Sequence, residues 1–407
     1  WDFRAVLEQV QQHPSRRYFI LKSIIINNLF GVDIMEEAVE ICKLRLFLKL
    51  VAQVESVDHI EPLPDIDFNI RAGNTLVGYT SLDQVRRSQE GKLSKLGHRD
   101  QEVRRIEEDA ETVERAFRQF RGQQTLHGGK VTRKDKQELR RRLQKLDLEL
   151  DRYLAGEYGV EADRKKDAFE RWRTSHQPFH WFVEFFGIVR NGGFDAIIGN
   201  PPYLERVKLG DMYSVRGFET EACRDIYSWV VERTFDLRRS GGRLGLIVPV
   251  SLASSGSFDV LRDIVNRHSQ RLWLSHFANR PGQLFVGAQN RLTIMLSRDG
   301  EEADGQYCTR YHRWDARNGE REALFFTMQY AALADMARGF HGLYPKVGVS
   351  EGVAVLRKIA SPRPLGSFLR KQSKYPIYWV RVPGYFCQFF LDPPKARPEG
   401  GGPARHR

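Results

Sequence analysis

The segment FDAIIGNPPYLE, residues 194–205, begins as an apolar strand and ends in residues that can do chemistry. Asn200 follows the strand, and Pro201, Pro202 and Tyr203 come directly after it. Each proline fixes its own φ angle and keeps the preceding residue out of the helical region, so this turn is stiff. Proline also has no N–H, which leaves the backbone carbonyls of the turn as spare acceptors. Asn200 adds an amide oxygen, and Tyr203 adds an aromatic face with a polar tip.

Such a turn is suited to holding an NH2 group whose ring lies against an aromatic side chain. The exocyclic amine of a nucleobase is a poor nucleophile because its lone pair is delocalised into the ring. If the Asn200 amide oxygen and a backbone carbonyl accept both amine protons, the nitrogen becomes tetrahedral and its lone pair is free to attack. This chemistry needs neither a metal nor a strong base. A base inside a duplex cannot reach the turn, so we expect it to be flipped out and stacked on Tyr203.

Two further strands are predicted before this turn. LFGVDI, residues 29–34, predicts a strand that ends on Asp33, and FNIRAGNTL, residues 68–76, predicts another that ends at Gly73 and Asn74. The first lies between two predicted helices, RRYFILKSIIINN and MEEAVEICKLRLFLKLV. The second helix has four residues at the spacing of one helical face: Ala38, Ile41, Leu44 and Leu48.

The region after the turn also alternates helices and strands. A helix over about 225–239 is expected to stop at the glycine pair 241–242, before the apolar strand RLGLIVP. VLRDIVNRHS predicts a helix, and RLWLSHF and NRLTIMLSR predict two strands joined by a loop too short for a helical crossover. We therefore expect those two strands to be antiparallel. The predicted fold is α/β: a doubly wound, mostly parallel, Rossmann-like sheet with an antiparallel last strand and helices on both faces.

The chain divides by composition into five parts. Residues 81–175 are dense in both charges and predict long amphipathic helices inserted into the sheet domain, with LHGGK, residues 126–130, as a turn. This insertion is either a charged hairpin without chemistry or a clamp on a DNA backbone. Beyond 300 a helix and an aromatic strand pair are expected, then a disordered tail. The predicted boundaries are 1–80 and 176–300 for the two parts of the sheet domain, 81–175, 301–390 for a connector, and 391–407 for the tail.

Composition limits the function classes. The 407 residues are 41% hydrophobic and 29% charged, as expected of a protein with an ordinary core. No run of about 18 apolar residues exists, which excludes a membrane-spanning helix, and we expect a cytoplasmic location. The four cysteines form no CxxC pair, so neither a zinc site nor a disulfide framework is expected. The net charge of +12 favours a polyanionic partner.

NPPY together with NNLFGVDIMEEAVEICKLRLFLKL and RAGNTLVG resembles one family. This is the gamma-type N6-adenine DNA methyltransferases of type IIG restriction-modification enzymes and related phage-defence methylases. The resemblance covers about residues 16–80 and 185–300, and is weaker as far as about 370. NPPY also occurs in methyltransferases that act on protein glutamine or on RNA, so these remain alternatives. A non-catalytic DNA-binding remnant of the fold is a third.

The resemblance implies a prokaryotic adenine-specific DNA methyltransferase that uses S-adenosyl-L-methionine and binds double-stranded DNA. It implies nuclease and target-recognition domains fused to the same protein, and no metal in this site. The implied cofactor-binding residues are Asp33 and Ile34 at the ribose and Gly73 and Asn74 near the adenine ring. The implied catalytic residues are Asn200, Pro201, Pro202 and Tyr203, with Phe285 of LFVGAQN as a second aromatic on the flipped base.

The chain departs from the family at its start. The family binds the methionine part of the cofactor with a glycine-rich loop between its first strand and first helix, N-terminal to the position of Asp33. Gly31 is the only glycine in residues 1–32, and the GGRLG sequence at 241 precedes a strand. We therefore expect the chain to begin inside the catalytic domain and to bind the cofactor weakly by itself. About residues 364–390 are expected to begin a target-recognition region, and no nuclease motif is evident.

Overall fold

The computed structural model describes most of the chain. The described residues are 3–59, 61–90, 96–125, 133–162, 164–210, 213–285, 289–300, 305–314, 320–333, 342–360, 377–382, 386–390 and 404–406.

Helices account for about half of these residues. They are α1 (Phe3–Gln12), α2 (Arg16–Asn28), α3 (Glu36–Val51), α4 (Leu82–Glu90), α5 (Leu96–Thr125), α6 (Arg133–Glu157), α7 (Lys166–His176), α8 (Trp181–Glu184), α9 (Phe186–Arg190), α10 (Tyr227–Leu237), α11 (Ser251–Ser254), α12 (Asp259–His268), α13 (Glu320–Thr327) and α14 (Ser350–Ala360). The helices predicted around residues 16–28, 35–51 and 259–268 are confirmed.

The strands form three sheets. They are β1 (Gly31–Asp33), β2 (Ile70–Ala72), β3 (Phe194–Gly199), β4 (Arg238–Pro249), β5 (Arg271–Phe277), β6 (Leu292–Arg298), β7 (Gly305–His312), β8 (Ala331–Ala332), β9 (Ile377–Val382), β10 (Phe386–Phe390) and β11 (Ala404–His406). β1 and β2 pair in parallel as one sheet, and β9, β10 and β11 form another.

The main sheet has six strands in the order β3-β4-β6-β5-β7-β8. β3 is parallel to β4 and β5 is parallel to β7, whereas β6 is antiparallel to both of its neighbours and β8 is antiparallel to β7. The antiparallel pairing of β5 with β6 confirms the prediction from their short connection. The sheet as a whole is mixed rather than mostly parallel, because β6 lies inside it between β4 and β5.

The helix before β4 ends earlier than predicted. α10 ends at Leu237 and β4 begins at the next residue, so the glycine pair lies inside the strand and does not stop the helix. Gly241 has φ +74°, and a Cβ on Gly242 would lie 2.7 Å from the Arg239 carbonyl oxygen. The pairing with β3 shifts here, from Phe194 opposite Arg238 to Ala196 opposite Arg243. Glycines allow the strand to bulge at this point and continue.

The sheet domain also extends beyond residue 300, where the boundary to a connector was predicted. β7 and β8 complete the main sheet, and its core includes Cys308, Leu333, Tyr344 and Val353. The predicted helix and aromatic strand pair are confirmed as α14 and the β9–β10 hairpin. β11 pairs with β9 within the tail that was expected to be disordered. Strand pairing uses backbone groups, which composition does not reveal.

The charged insertion has an apolar core of its own. α4 to α7 confirm the predicted helices, while the LHGGK turn lies outside the described residues. Leucines at helical spacing on α6 are buried against α5, and the same cluster contains Phe68, Val77 and Tyr79 from the region after β1. The insertion is therefore built into the body of the protein, and the boundary at residue 80 does not separate two cores.

One face of the main sheet is only partly covered. The core packed with α10 and α12 includes Leu246, Leu272 and Met295 on the covered face. On the opposite face, Gly245 lies between Ile198 and Leu296 in the register of three adjacent strands. Ile198 is 88% exposed and Leu296 is 42% exposed. Among the described residues, this part of the sheet does not have helices on both faces as predicted.

The predicted apolar face of α3 is likewise open. Ile41, Leu44 and Leu48 are all more than half exposed, whereas Val39 and Leu50 of the same helix are buried. None of the described helices has the length and apolarity needed to cross a membrane.

This contrast predicts that substitution of two leucines of α3 changes the free energy of unfolding by different amounts. Replacing Leu50, which is fully buried, with alanine should lower the free energy of unfolding by about 2–5 kcal/mol, because it leaves a cavity. Replacing Leu48, which is 60% exposed, should change it by less than about 0.5 kcal/mol. Urea unfolding of this chain measures both. Equal losses would mean that the face carrying Leu48 is covered in solution.

Candidate active site

The NPPY turn lies at the carboxyl end of β3, as predicted. Asn200 and Pro202 are exposed, Pro201 is buried and Tyr203 is half-buried. The Tyr203 hydroxyl lies 2.5 Å from the Asn200 Oδ1 and 3.0 Å from the backbone oxygen of Ile247. A hydroxyl has one proton, so Tyr203 donates to these two acceptors in a shared or alternating way. Ile247 belongs to β4, and the tyrosine therefore ties the turn to the neighbouring strand.

The protonation state of Tyr203 supports this arrangement. Burial raises the pKa of Tyr203 to about 12, so the hydroxyl is a donor throughout the neutral range. The donated bond fixes which atom of the Asn200 amide is the oxygen and where it points. An amide oxygen has two lone pairs, so Asn200 keeps one for a further donor. The sequence predicted the aromatic face of Tyr203 but gave no sign of the hydroxyl's partner, because Ile247 contributes only its backbone.

Asp33 is exposed at the carboxyl end of β1. Its Oδ1 accepts a hydrogen bond of 2.9 Å from the backbone N–H of Met35, which fixes the carboxylate at the turn into α3. Its backbone oxygen accepts from the Gly73 N–H, also at 2.9 Å, so the structure brings these two predicted residues together. Ile34 is 51% exposed beside them. A carboxylate has about four acceptor positions, so Asp33 has capacity for a hydroxyl-bearing ligand.

Asn74 is 3% exposed, and its side chain is engaged within the protein. Its Nδ2 donates to the His176 carbonyl at 2.9 Å and to the Tyr213 hydroxyl at 2.8 Å. Its Oδ1 accepts from the Leu76 N–H at 3.1 Å. The amide therefore joins three segments, and its contact with a cofactor stays a prediction. Tyr213 was not predicted as a site residue, because it lies in a loop and no sequence motif surrounds it.

The segment after the NPPY turn packs against the segment after β2. Leu76 lies in one apolar cluster with Phe218, Ile226 and Trp229. Arg233 of α10 is 5% exposed, and its Nη2 donates to the Leu76 carbonyl at 3.3 Å. Hydrogen bonds and apolar contacts between the described residues thus join the segment after β2 to α10 and to the loop that follows the NPPY turn.

Phe285 is 40% exposed in the segment between β5 and β6. Among the described residues its ring is not stacked on Tyr203, and residues 286–288 lie outside the described part. Its role opposite a flipped base remains a prediction. Nor do the described residues contain a cluster of three or more histidine, cysteine or acidic side chains that could hold a metal ion.

A comparison with protein families matches residues 27–283 to the Eco57I restriction-modification methylase family, which is more than half of the chain. This chain belongs to that family. The match spans the ends of β1, β2 and β3, and therefore includes Asp33, Asn74 and the NPPY turn. It also spans α4 to α7, so the charged insertion lies between two parts of the methylase domain.

A relative of this methylase chain is described as a putative type II restriction enzyme and methyltransferase of Methanocaldococcus jannaschii. The two are 29% identical over 309 residues, which are 63% of this chain and 26% of the relative. The chain thus spans about a quarter of that protein's length.

Solved structures with weaker similarity include a DrdV–DNA complex and the M protein of the type I restriction enzyme EcoKI. The DrdV match has 18% identity and a TM-score of 0.29, covering 39% of this chain and 19% of that one. The EcoKI match has 14% identity and a TM-score of 0.25, covering 50% of this chain and 49% of that one.

The close packing at Gly73 predicts that any added side-chain atom at this position lowers the stability of the protein. A Cβ at this position would lie 2.6 Å from the Phe179 ring, so Gly73→Ala should destabilise the protein by about 1–3 kcal/mol. The matched control is Gly122→Ala in α5, where a Cβ meets no atom within 4 Å. That change should stabilise by about 0.5–1 kcal/mol, because alanine favours the helix. The shift in the urea midpoint measures both, and a Gly73 variant as stable as the parent would contradict the observed packing.

Proposed function

We propose that this chain carries the catalytic centre of an S-adenosylmethionine-dependent enzyme that methylates the N6 amine of a flipped adenine in DNA, within a restriction-modification or phage-defence system. The observation that supports this most directly is the oriented Asn200 amide oxygen at the end of β3. The Asn200 oxygen is exposed and oriented by a hydroxyl that is itself fixed to β4.

The residues of the turn account for the activation of the amine. The Asn200 oxygen and a backbone carbonyl of the turn accept the two amine protons, which draws the nitrogen towards a tetrahedral geometry. The Tyr203 ring stacks on the base. The Tyr203 hydroxyl shares its proton with the Ile247 carbonyl, so it can give up part of its bond to Asn200 and still be satisfied when the amine arrives. With the methyl donor bound, the lone pair would attack the methyl carbon while the bond from that carbon to sulfur breaks and its electron pair stays on sulfur. The extra proton on nitrogen would then pass to water.

The described residues fit one end of the implied cofactor. The exposed Asp33 carboxylate, fixed by the Met35 N–H, is suited to accept hydrogen bonds from the two ribose hydroxyls. Bound S-adenosylmethionine supplies a methyl group on a positively charged sulfur. Asn74 is less suited to a cofactor contact, because its amide already bridges His176 and Tyr213. Gly73 contributes backbone beside Asp33.

The open strand edges suggest how the sheet is completed. In the described part of the chain β1 pairs only with β2, and β3 pairs only with β4. Near the starts of β1 and β3, the Phe30 and Phe194 rings lie 6.2 Å apart, and a cavity of about 430 Å³ is lined by Asn27, Phe30, Gly193 and Asp195, among others. We propose that a further parallel strand lies between β1 and β3, making one doubly wound sheet. Its flanking helix would cover Ile198.

Methyl transfer can be measured directly. The protein is incubated with S-adenosylmethionine labelled in the methyl group and, separately, with unmethylated genomic DNA, total RNA or a protein extract. The expected product is label in DNA that is recovered as N6-methyladenine after hydrolysis to nucleosides. Label recovered only in RNA or protein would reject the DNA assignment.

Asn200→Ala should abolish methyl transfer, with a loss of at least about 10³-fold, because the amine loses an oriented acceptor. DNA affinity and its salt dependence should stay close to the parent's, since an uncharged amide adds nothing to the electrostatic attraction for phosphates. The control is Asn191→Ala, at an exposed asparagine just before β3. Affinity that falls in proportion to activity would indicate that Asn200 supports the structure rather than the reaction.

Asp33→Ala should weaken binding of S-adenosylmethionine by about 10- to 100-fold, the value of hydrogen bonds to a charged acceptor. Glu37→Ala, an exposed acidic residue one turn further along, is the matched control and should leave affinity unchanged. Isothermal titration calorimetry measures both. Equal affinities for the Asp33 and Glu37 variants would remove Asp33 from the cofactor site.

A further inference from the structure

A short 3₁₀ turn, Arg206–Leu209, follows the NPPY turn closely and presents an apolar side chain to solvent. Val207 is 78% exposed. The two leucines on either side of it, Leu204 and Leu209, pack instead into the apolar cluster around Trp229. Leu204 and Leu209 therefore pack against the protein, while the branched apolar side chain of Val207 between them faces solvent.

This turn is held by backbone on both sides. The Arg206 N–H donates to the Arg224 carbonyl at 2.8 Å, and the Ile226 N–H donates to the Leu204 carbonyl at 3.0 Å. An ion pair of 2.9 Å between Arg224 and Glu205 adds to this pairing. Val207 is thus carried on an anchored loop rather than on a free one, so its exposure does not follow from a lack of local structure.

The position of the turn relates it to the flipped base. Val207 is four residues beyond Tyr203, so their Cα atoms are at most about 14 Å apart. A flipped base stays attached to its strand, and the major groove of DNA is about 12 Å wide. When the base is stacked on Tyr203, the gap that it leaves in the duplex therefore lies within the distance that Val207 can span from Tyr203. Arg206 and Lys208, on either side of Val207, are exposed cations. An apolar side chain between two cations is complementary to DNA, in which stacked bases lie between two phosphate backbones.

We propose that Val207 inserts into the gap left by the everted adenine, while Arg206 and Lys208 bind the flanking phosphates. The proposal rests on the proposed function, because it takes the ligand to be a duplex with one base flipped out. The isopropyl group covers the exposed faces of the neighbouring bases and so offsets part of the cost of unstacking, as apolar wedges do in other DNA-bending proteins.

We call the inserted Val207 side chain the wedge. A binding experiment tests it without requiring catalysis. The protein is titrated with two duplexes of roughly 25 bp, one fully paired and one with an abasic site at its centre, where the gap already exists. The wild type should bind the abasic duplex about tenfold more tightly. Val207→Ser should lose this preference, whereas Val355→Ser, at a valine 56% exposed on α14, should keep it. Circular dichroism and thermal melting establish that both variants fold.

The cations make a separate contribution. Lys208→Gln should weaken binding to both duplexes by the same factor and reduce the slope of log affinity against log salt by about 0.9. Lys49→Gln, on the exposed surface of α3 and outside the charged insertion, is the control and should change neither quantity. A Lys208 variant with an unchanged slope would overturn the phosphate contact.

Methylation separates failure of the wedge from failure of the proposed function. At a site mapped in genomic DNA, kcat/KM of Val207→Ser should fall about tenfold on paired DNA and less than about twofold when the target adenine faces an abasic site. If the wild type methylates DNA but Val207→Ser matches it in both assays, the wedge is wrong and the function stands. If the wild type binds the abasic duplex preferentially through Val207 but transfers no methyl group, the proposed function fails alone. Equal binding of both duplexes by the wild type overturns the wedge.

Discussion

The shared hydrogen bond of the Tyr203 hydroxyl is the constraint on which the candidate site depends. One proton connects the Asn200 amide to the Ile247 carbonyl, and thereby connects the turn after β3 to the adjacent strand β4. Burial keeps that proton in place by raising the pKa of Tyr203 to about 12. The two prolines restrict the backbone, and the hydroxyl restricts the side chain. In the proposed reaction, the acceptor is therefore oriented before the amine arrives, and such preorganisation is the main source of electrostatic catalysis.

Polar groups in the layer behind this turn connect the two strand groups. The Asn74 amide links the end of β2 to Tyr213, and the buried Arg233 reaches the Leu76 carbonyl from α10. A buried guanidinium is costly unless it is bonded, and here it also lies 4.7 Å over the Phe218 ring. The main sheet and the β1–β2 pair thus share a polar and apolar layer. A cofactor contact at Asp33 and an amine contact at Asn200 would be held on this common support.

The insertion contributes to the same body. Its helices bury leucines and phenylalanines together with Tyr79, whose hydroxyl donates to Glu157 of α6 at 2.8 Å. Most of its charged residues lie on the outer faces, many in pairs such as Arg141 with Glu138, whereas Glu114 and Asp151 are buried. Pairs of that kind contribute little to stability at the surface, so the apolar core and not the charge accounts for the order of this region. The same charge remains available to a polyanionic partner.

The sequence by itself determined most of the elements and the stiff NPPY turn at the end of β3, because proline geometry, hydrophobic periodicity and strand-ending polar residues are local properties. It placed β1, β3, β5, β6 and most helices correctly. Only the tertiary structure decided which partners these residues take: that Asn74 is buried in a bridge, that Tyr203 bonds to a backbone oxygen of β4, and that β6 lies inside the sheet. Those outcomes depend on contacts between residues far apart in the chain, where backbone atoms carry no sequence signal. Whether an apolar helical face such as that of Leu44 and Leu48 is covered is likewise set by its neighbours and not by its own spacing.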